Sequence, residues 1–503
     1  MMMSLLMLLL MGLSTSSFFL PQYLTKIIDA NKHSSAQLNF ALEQENQSAL
    51  KFARTKALYH SAQWLELSIK LAKTRGKAAY QLALYYQNQP KQAEFWYKSA
   101  IRLDYAKARV ALAQYYFKQG QFEKSAHALI SLPQNLSQSL IIAAQTVKIN
   151  IALNLGKIDD VKAIVSEYAK QLQLTEQGQL LLADLSKYRV LKNSSPSTLN
   201  KLNATDCDNS IQLFATNLRH LKQLEQLVTE FDNQALSTVV CFSPVRYMAI
   251  TALDCIGEPT KAINCNEINW QPLSKSINSR YVGVMLPEGG ANVHYGILYF
   301  DAQDNVDVVA HEVSHLLGFV DEYPLVAGHV KCESSQDKIF SRNVSVLKRR
   351  YQGNKQTIRE KILQQVAWAE YIKDSTPILQ EVTGLNSQQY WQIGTPELFN
   401  HEVGVFISKT CDSSVNHKRD DFASFKPVSQ QTKLQYFALE FPEVYILLLQ
   451  DNPSRHLMPS FHYNIALASF QQGNISQAKD YLRRAMSWEH DIDRRNIVSQ
   501  GNL

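Results

Sequence analysis

The order of hydrophobic and polar residues predicts helices in the first part of the chain. From about residue 34 to residue 190, apolar residues recur three and four positions apart, which places them on one face of a helix. Residues 77–86 are echoed by residues 107–116, and each segment is followed by a polar turn and a second amphipathic stretch. Helix pairs that repeat in this way bury their apolar faces by stacking on their neighbours. The pattern therefore predicts helical repeats over residues 34–190.

A helix pair of the same kind is predicted near the C-terminus, over residues 455–490. Gly473 follows its first helix, and Ala478 and Ala485 are small residues at the spacing expected where stacked helices cross. Both regions resemble tetratricopeptide or Sel1-like repeats. The resemblance implies a concave surface for a protein or peptide partner. The alternative is a scaffold that packs on the neighbouring domain and binds nothing else.

Between the two helical regions, residues 207–450 are predicted as a separate domain that contains short apolar strands as well as helices. The polar segment 191–206, with Ser and Pro at its centre, is the predicted linker. Within the domain, 211–231 is predicted as one helix and 294–300 as a strand. A short polar loop, 301–305, leads from that strand into a further helix. The prediction is therefore a multi-domain chain, with a helical repeat region followed by a domain that contains strands.

The composition is that of a globular protein, since 45% of the 503 residues are hydrophobic and 19% are charged. The formal net charge of +6 is not gathered in a basic block, so we expect no nucleic-acid partner. Residues 1–24 begin with an uncharged apolar run, which predicts a signal peptide or, alternatively, an uncleaved membrane anchor. Either segment exports the rest of the chain, so we expect a periplasmic or secreted protein, tethered to the membrane in the second case.

The cysteines agree with export. The chain has six, and none precedes residue 207. An even number in one segment of an exported protein predicts up to three disulfides, whose pairing the sequence leaves open. The six are Cys207, Cys241, Cys255, Cys265, Cys332 and Cys411.

The helix after residue 305 carries a pattern of metal ligands. His311, Glu312 and His315 form His-Glu-x-x-His, and the pattern continues to Gly318 and Asp321. Residues four apart share one face of a helix, so the two imidazoles can bind a single ion. A glycine suits the turn that must end this helix, and the turn can bring Asp321 back to the same ion. We predict His311, His315 and Asp321 as zinc ligands.

The same pattern predicts hydrolytic chemistry. A zinc ion with three protein ligands keeps a fourth position for water and lowers the pKa of that water towards neutrality. We expect Glu312 to accept the water's proton during attack on a carbonyl and to pass it to the leaving amine. Tyr323, Tyr351 and Tyr436 are candidate hydrogen-bond donors to the developing oxyanion, and no spacing selects one of them.

Other carboxylates compete with Asp321 for the third ligand position. Glu322 is its neighbour, and a gluzincin-like arrangement would take the ligand from a more distant glutamate. Asp321 is preferred because it needs only the turn at Gly318 to reach the ion. The distant candidates are Glu333, Glu360 and Glu370.

Residues 305–323 resemble the motif of metzincin-type zinc metallopeptidases, in the variant with Asp as the third ligand. The ending Asp-Glu-Tyr is similar to that of the immunoglobulin A peptidase family. The resemblance implies that residues 207–450 form an α/β, zincin-like domain whose mixed sheet flanks the active-site helix. It also implies endopeptidase activity on protein or peptide substrates. It also implies an edge strand that pairs with extended substrate, for which 289–297 is the candidate. The alternative is that 289–297 is a plain structural hairpin. Metzincins have a methionine turn below the zinc, but no methionine lies between Met285 and Met458 in this chain. Either another residue fills that role or the chain belongs to a neighbouring clan.

Together these features predict an exported zinc metalloendopeptidase whose helical repeats bind a partner or the substrate. A different class of function is an interaction scaffold built on tetratricopeptide-like repeats, with a peptidase-like domain that is not catalytic. A third is a metal-dependent hydrolase that acts on material other than peptides, such as the cell wall.

Overall fold

The computed structural model of the chain describes residues 19–130, 132–133, 136–191, 207–333, 335–336, 338–383, 389–412 and 421–501. They form two compact units. The first comprises the chain up to Ala152 together with Asp159–Leu182, and the second comprises Leu153–Ile158 together with Ala183–Leu503. The first is helical and the second is mixed α/β, so the predicted multi-domain class is confirmed at this level. All of the predicted linker except residue 191 lies outside the described residues.

The N-terminal helices begin where the sequence supplies caps. Ser34 forms a capping box with Gln37, and the side chains of Asn46 and Ser61 accept hydrogen bonds from the first turns of the next two helices in that position. The helices are α1 (Ser35–Glu43), α2 (Gln47–Lys56), α3 (Ala62–Ala72), α4 (Gly76–Tyr85), α5 (Pro90–Arg102), α6 (Ala106–Lys118), α7 (Phe122–Ala128), α8 (Gln138–Asn154), α9 (Ile158–Leu172) and α10 (Glu176–Lys187).

Small residues let these helices approach one another closely. The echoed segments of the sequence lie in α4 and α6, and each is followed by its partner helix, α5 or α7. Tyr97 and Tyr116 fill the space between the helix pairs, with 3% and 4% of their surface exposed. The alanines of the helix crossings have no exposed surface: Ala79, Ala83, Ala93, Ala100, Ala108 and Ala113. A side chain larger than a methyl group at these positions would force the helices apart.

The second unit is built around a five-stranded sheet with the strand order β2-β1-β3-β5-β4. The strands are β1 (Ser210–Ala215), β2 (Cys241–Tyr247), β3 (Tyr281–Leu286), β4 (Asn292–His294) and β5 (Ile297–Asp301). Four of them run parallel, and β4 runs antiparallel to β5 at the edge. Every residue of β1, β3 and β5 is buried, as expected for strands that are covered on both faces.

Two small antiparallel sheets and further helices complete this unit. The sheets have the orders β10-β11-β6 and β7-β9-β8. Their strands are β6 (Ser345–Lys348), β7 (Arg350–Tyr351), β8 (Leu379–Thr383), β9 (Gln389–Ile393), β10 (Phe406–Ile407) and β11 (Phe422–Lys426). The helices are α11 (Leu218–Phe231), α12 (Gln271–Ser274), α13 (Val306–Leu316), α14 (Lys355–Leu363), α15 (Glu443–Asp451), α16 (Phe461–Gln471), α17 (Ile475–Met486) and α18 (Ile492–Gln500).

Two predictions of local structure in this unit were wrong. The helix predicted over 211–231 is strand β1 followed by α11, because a short, fully buried strand lacks the alternation that separates strands from helices in a sequence. The strand predicted over 294–300 is the hairpin of β4 and β5. Its turn is formed by Tyr295 and Gly296, which both have positive φ, 38° and 83°.

The C-terminal helix pair belongs to the second unit and not to a separate domain. The sequence analysis placed 455–490 outside the α/β domain of 207–450. In the structure, Phe461, Ile465 and Ala466 of α16 pack in the same apolar cluster as the central strands of the sheet. Without α16, one face of β3 and β5 would be exposed to water.

A buried ion-pair network fastens this helix pair to the sheet. Arg280, just before β3, donates to Glu489 (Nη2–Oε1 2.7 Å) and to the backbone carbonyl of Met458 (3.0 Å). Arg494 donates to the other carboxylate oxygen of Glu489 at 2.9 Å. The side chains of Arg280 and Glu489 are 1% and 0% exposed. Each charge therefore depends on its partner, because water does not reach either of them.

The predicted disulfides are confirmed, since the six cysteines form three. The pairs are Cys207–Cys241, Cys255–Cys265 and Cys332–Cys411. Disulfides persist in oxidising compartments, so they support an exported protein.

The N-terminal segment predicted as signal peptide or anchor, 1–24, lies outside the described residues up to residue 18. Residues 19–29 are helical. Among the residues that the structure describes, no helix has both the length and the apolar character needed to span a membrane.

Replacing Glu489 with alanine should destabilise the second unit strongly. The change leaves the buried guanidinium of Arg280 without its counter-charge, a loss of about 3–5 kcal/mol in the free energy of unfolding. Urea denaturation followed by tryptophan fluorescence measures it. The matched control is Glu258→Ala, which removes the exposed ion pair with Lys261 and should change little. Similar effects of the two variants would contradict this account.

Candidate metal centre

The helix that carries the metal motif, α13, is fixed at both ends. The side chain of Asn305 accepts hydrogen bonds from the backbone N–H groups of Asp307 and Val308 and so caps its start. Its end is sharp because Gly318 has φ of +88°. A Cβ atom there would lie 2.2 Å from the backbone oxygen of His456, so both the conformation and the close approach of the chain require glycine.

The turn at Gly318 brings the three predicted ligands together. The Nε2 atoms of His311 and His315 lie 3.2 Å apart. Oδ1 of Asp321 lies 3.1 Å from the first and 3.3 Å from the second. Zinc bonds of about 2.0–2.1 Å in tetrahedral geometry place ligand atoms about 3.3 Å from one another. The triangle therefore has the dimensions of one face of a tetrahedral zinc site.

The opposite nitrogen of each imidazole is held by a backbone carbonyl. Nδ1 of His311 donates to the carbonyl of Lys433 at 2.9 Å, and Nδ1 of His315 donates to that of Phe319 at 3.1 Å. A carbonyl only accepts, so both protons belong on Nδ1. In the neutral imidazoles, Nε2 then carries a lone pair directed into the triangle. Such second interactions orient the histidine ligands of metal sites.

Three electron-rich atoms in contact require a positive charge between them. Oδ1 of Asp321 is buried and accepts no hydrogen bond of acceptable geometry from any described residue, despite the short distances to the imidazoles. Without a metal, a proton supplies part of the charge. Burial lowers the pKa of His315, but the carboxylate of Asp321 outweighs burial and raises that pKa to about 9. One proton cannot satisfy all three atoms, whereas one zinc ion can.

Glu312 lies beside the triangle and outside it. Its carboxylate comes within 4.8 Å of ligand atoms of both histidines, and the residue is 7% exposed. Burial raises the pKa of this carboxyl above its ordinary value. A carboxylate in this position can exchange a proton with a molecule bound at the centre.

Glu322 is not available as a ligand, because four side chains bind its carboxylate. Oε1 accepts from Asn343 at 3.0 Å and from the hydroxyl of Tyr445. Oε2 accepts from Lys426 and Thr432, each at 2.8 Å. The residue has no exposed surface. Its role is to anchor the loop that presents Asp321.

The other side of this loop is held by Thr410. Its hydroxyl donates to the backbone carbonyl of Asp321 at 2.8 Å, and its carbonyl accepts from the N–H of Leu325 at 2.9 Å. The neighbouring Cys411 is joined to Cys332 by a disulfide. The distant alternatives for the third ligand, Glu333, Glu360 and Glu370, are exposed.

A turn over residues 432–437 forms the floor under His311. It contributes the carbonyl of Lys433 and the ring of Phe437, whose centroid lies 4.7 Å from that of the imidazole in an edge-to-face contact. The ammonium of Lys433 lies 2.7 Å from Asp307 in the first turn of α13. This floor turn packs under the centre, and it contains no methionine.

Sequence reasoning did not find the residues that support the centre. Thr410, Lys426, Thr432 and Lys433 lie about a hundred residues after the motif and are common residue types. No fixed spacing links them to α13, and only folding brings them to it. A single sequence therefore predicts the ligands of such a site but not their supports.

Comparison with known proteins identifies only the C-terminal helix pair. A family model for the tetratricopeptide repeat matches residues 459–491. This segment, which contains α16 and α17, is similar to a tetratricopeptide repeat. No curated protein and no solved structure that was compared with the chain gave a match. The repeat near the C-terminus is thus supported by sequence and structure, and the metal centre rests on its geometry.

The intact centre should bind about one zinc ion per chain. Loss of an imidazole opens the triangle, so His315→Ala should lose zinc on dialysis, whereas the exposed His401→Ala should keep it. Elemental analysis measures the zinc content. Zinc should also raise the melting temperature of the wild-type chain and not that of His315→Ala. Equal zinc content in both variants would contradict the assignment.

The hydrogen bond from Thr410 to the loop of Asp321 should strengthen zinc binding. Thr410→Val removes the hydrogen bond to the carbonyl of Asp321 and leaves all three ligands in place. We expect zinc to bind about 10- to 100-fold more weakly, as for other residues that hold ligands. Competition with a chromophoric chelator gives the dissociation constant. Thr383→Val, at the exposed end of β8, is the control and should leave it unchanged.

Proposed function

We propose that the protein is an exported zinc metallopeptidase that hydrolyses protein or peptide substrates. The observation that carries the proposal is the triangle of His311, His315 and Asp321, with Glu312 beside it. These residues have the types and order of the metzincin-type motif with aspartate as third ligand. The mixed sheet next to α13 agrees with the zincin-like fold that this resemblance implies.

The residues of the chain divide the proposed reaction between them. His311, His315 and Asp321 would hold the zinc ion, and the bound ion would supply an activated water and polarise the scissile carbonyl. Glu312 accepts a proton from the water as its oxygen bonds to the carbonyl carbon. The same carboxyl then donates that proton to the amine nitrogen as the C–N bond breaks.

The edge of the main sheet offers a place for an extended substrate. β4 is the last strand in the order, and α13 packs against it. It lies within the predicted substrate edge, 289–297. Both ends of this edge are already occupied. Gly290 forms a β-bridge with Ala262, and the side chain of Asn464 donates to the carbonyl of His294 at 2.9 Å. We propose that substrate adds a short strand along the remainder.

We propose that the first, helical unit carries the surface that binds a protein or peptide partner. Tetratricopeptide repeats generally bind proteins, and this unit contains a cavity of about 340 Å³ between α4, α5 and α6. Aromatic rings and polar side chains line it, including Tyr80, Gln87, Tyr97, Tyr115 and Lys118. This lining suits a peptide that presents both apolar and polar groups. In the C-terminal helix pair, the inner helix α16 is buried in the sheet core, and the outer helix α17 carries the exposed face.

A second candidate function is an interaction scaffold without catalysis. The match of residues 459–491 to the tetratricopeptide repeat favours it, because binding is the general role of these repeats. The intact Glu312 favours the peptidase, since a scaffold has no use for a buried carboxylate next to metal ligands. Measured cleavage separates the two.

Glu312→Gln should abolish peptide cleavage and leave zinc bound. The amide cannot accept a proton, so we expect cleavage to fall by about 10²- to 10⁴-fold. A mixed peptide library incubated with the full chain, with and without 1,10-phenanthroline, is analysed by mass spectrometry.

The matched control is the exposed Glu258→Gln, which should cleave as the wild type does. Cleavage that survives in Glu312→Gln would remove this residue from the mechanism. A zinc-loaded wild-type chain that cuts no peptide in the library would contradict the peptidase and support the scaffold.

A further inference from the structure

The sequence offers Tyr323, Tyr351 and Tyr436 as equal candidates for a hydrogen-bond donor to the oxyanion, and the structure distinguishes between them. Tyr351 lies in β7, and its pKa is raised by burial without a contribution from the metal centre. Tyr436 lies in the floor turn and is 53% exposed, and no contact joins its ring to a ligand among the described residues. Tyr323 lies two residues after Asp321, on the same anchored loop.

The ring of Tyr323 is placed against a metal ligand. It lies nearly parallel to the imidazole of His311, with 6.2 Å between centroids and 11° between planes. The residue is 37% exposed, so it stands at the solvent side of the centre, whereas His311 is completely buried.

The loop that carries Tyr323 has little freedom to move away. The preceding residue, Glu322, is bound by four side chains, and the N–H of Leu325 is bound by Thr410. A tyrosine on a mobile loop would lose entropy at each turnover, whereas this one is already positioned.

We propose that Tyr323 is a catalytic residue that donates a hydrogen bond to the oxyanion formed at the metal centre. The inference rests on the proposed peptidase function. Glu312 and Tyr323 would then act on the two reacting atoms, the carboxylate on the attacking water and the phenol on the carbonyl oxygen.

The proposed step conserves the proton of the phenol. As the water oxygen bonds to the carbonyl carbon, the π electron pair moves to the carbonyl oxygen and Glu312 takes one proton. Tyr323 donates to that oxygen without giving up its proton. When this electron pair forms the C=O double bond again and the C–N bond breaks, the proton on Glu312 passes to the amine nitrogen. The hydrogen bond is strongest while the oxygen is negative, so it lowers the barrier more than it strengthens substrate binding.

The competing role for Tyr323 is to hold Asp321 as a ligand. Tyr323 lies two residues after Asp321 on the same loop, and its ring lies against that of His311. A residue that only positions a ligand changes zinc affinity, and its loss is repaired by excess zinc. A donor to the oxyanion changes the turnover number at full zinc occupancy. The two roles therefore predict different measurements.

The test is Tyr323→Phe in the full chain, with a peptide that the library assay shows to be cut. We expect kcat to fall by about 10²- to 10³-fold at saturating zinc, the usual effect of losing one oxyanion donor. KM and the zinc dissociation constant should stay within about two-fold of the wild type. A phosphinic analogue of the same peptide, which mimics the tetrahedral intermediate, should bind more weakly by the factor lost from kcat/KM.

The matched controls are Tyr351→Phe and Tyr436→Phe, which remove the same hydroxyl from the other two candidates. Unchanged kcat in Tyr323→Phe, or a loss that excess zinc repairs, overturns the proposal. The proposal is also overturned if Tyr436→Phe shows the expected loss of kcat and Tyr323→Phe does not. If the wild type itself cuts no peptide, the peptidase proposal fails and this inference fails with it. Cleavage by the wild type and by Tyr323→Phe at equal rates overturns only the role of Tyr323.

Discussion

Mutual repulsion among three electron-rich atoms is the constraint on which this structure depends. Two imidazole nitrogens and one carboxylate oxygen lie 3.1–3.3 Å apart, largely shielded from water. The backbone carbonyls of Lys433 and Phe319 fix both imidazole protons on the far side of the rings. The arrangement is stable only with positive charge at its centre, and a divalent ion satisfies all three atoms at once.

The rest of the α/β unit holds that triangle in shape. Three groups donate hydrogen bonds to the carbonyls at the end of α13. The N–H of Met458 and the hydroxyl of Tyr281 bind the carbonyl of Leu316, and Arg342 binds that of Leu317. Met458 leads directly into the tetratricopeptide-like pair, whose first helix fills the sheet core. Here the repeat acts within its own chain, and it completes the frame around the metal centre.

How much of this could be predicted depends on distance along the chain. The spacing of His311, His315, Gly318 and Asp321 is local, and helix geometry with one tight turn is enough to bring these residues together. The helical regions were also predictable, because amphipathic periodicity is local. Strand β1 was not, since a fully buried strand shows no alternation. The floor turn at 432–437 was not either, because its contacts with α13 depend on tertiary structure alone.

The most direct test of the central claim is X-ray absorption at the zinc edge on the zinc-loaded chain. The account predicts one zinc in a first shell of nitrogen and oxygen atoms only, at about 2.0–2.1 Å. It also predicts the outer-shell scattering of two imidazoles, and Asp321→Asn should alter the carboxylate contribution without removing the imidazoles. Sulfur in the first shell, a single imidazole, or a spectrum that does not respond to Asp321→Asn would contradict it.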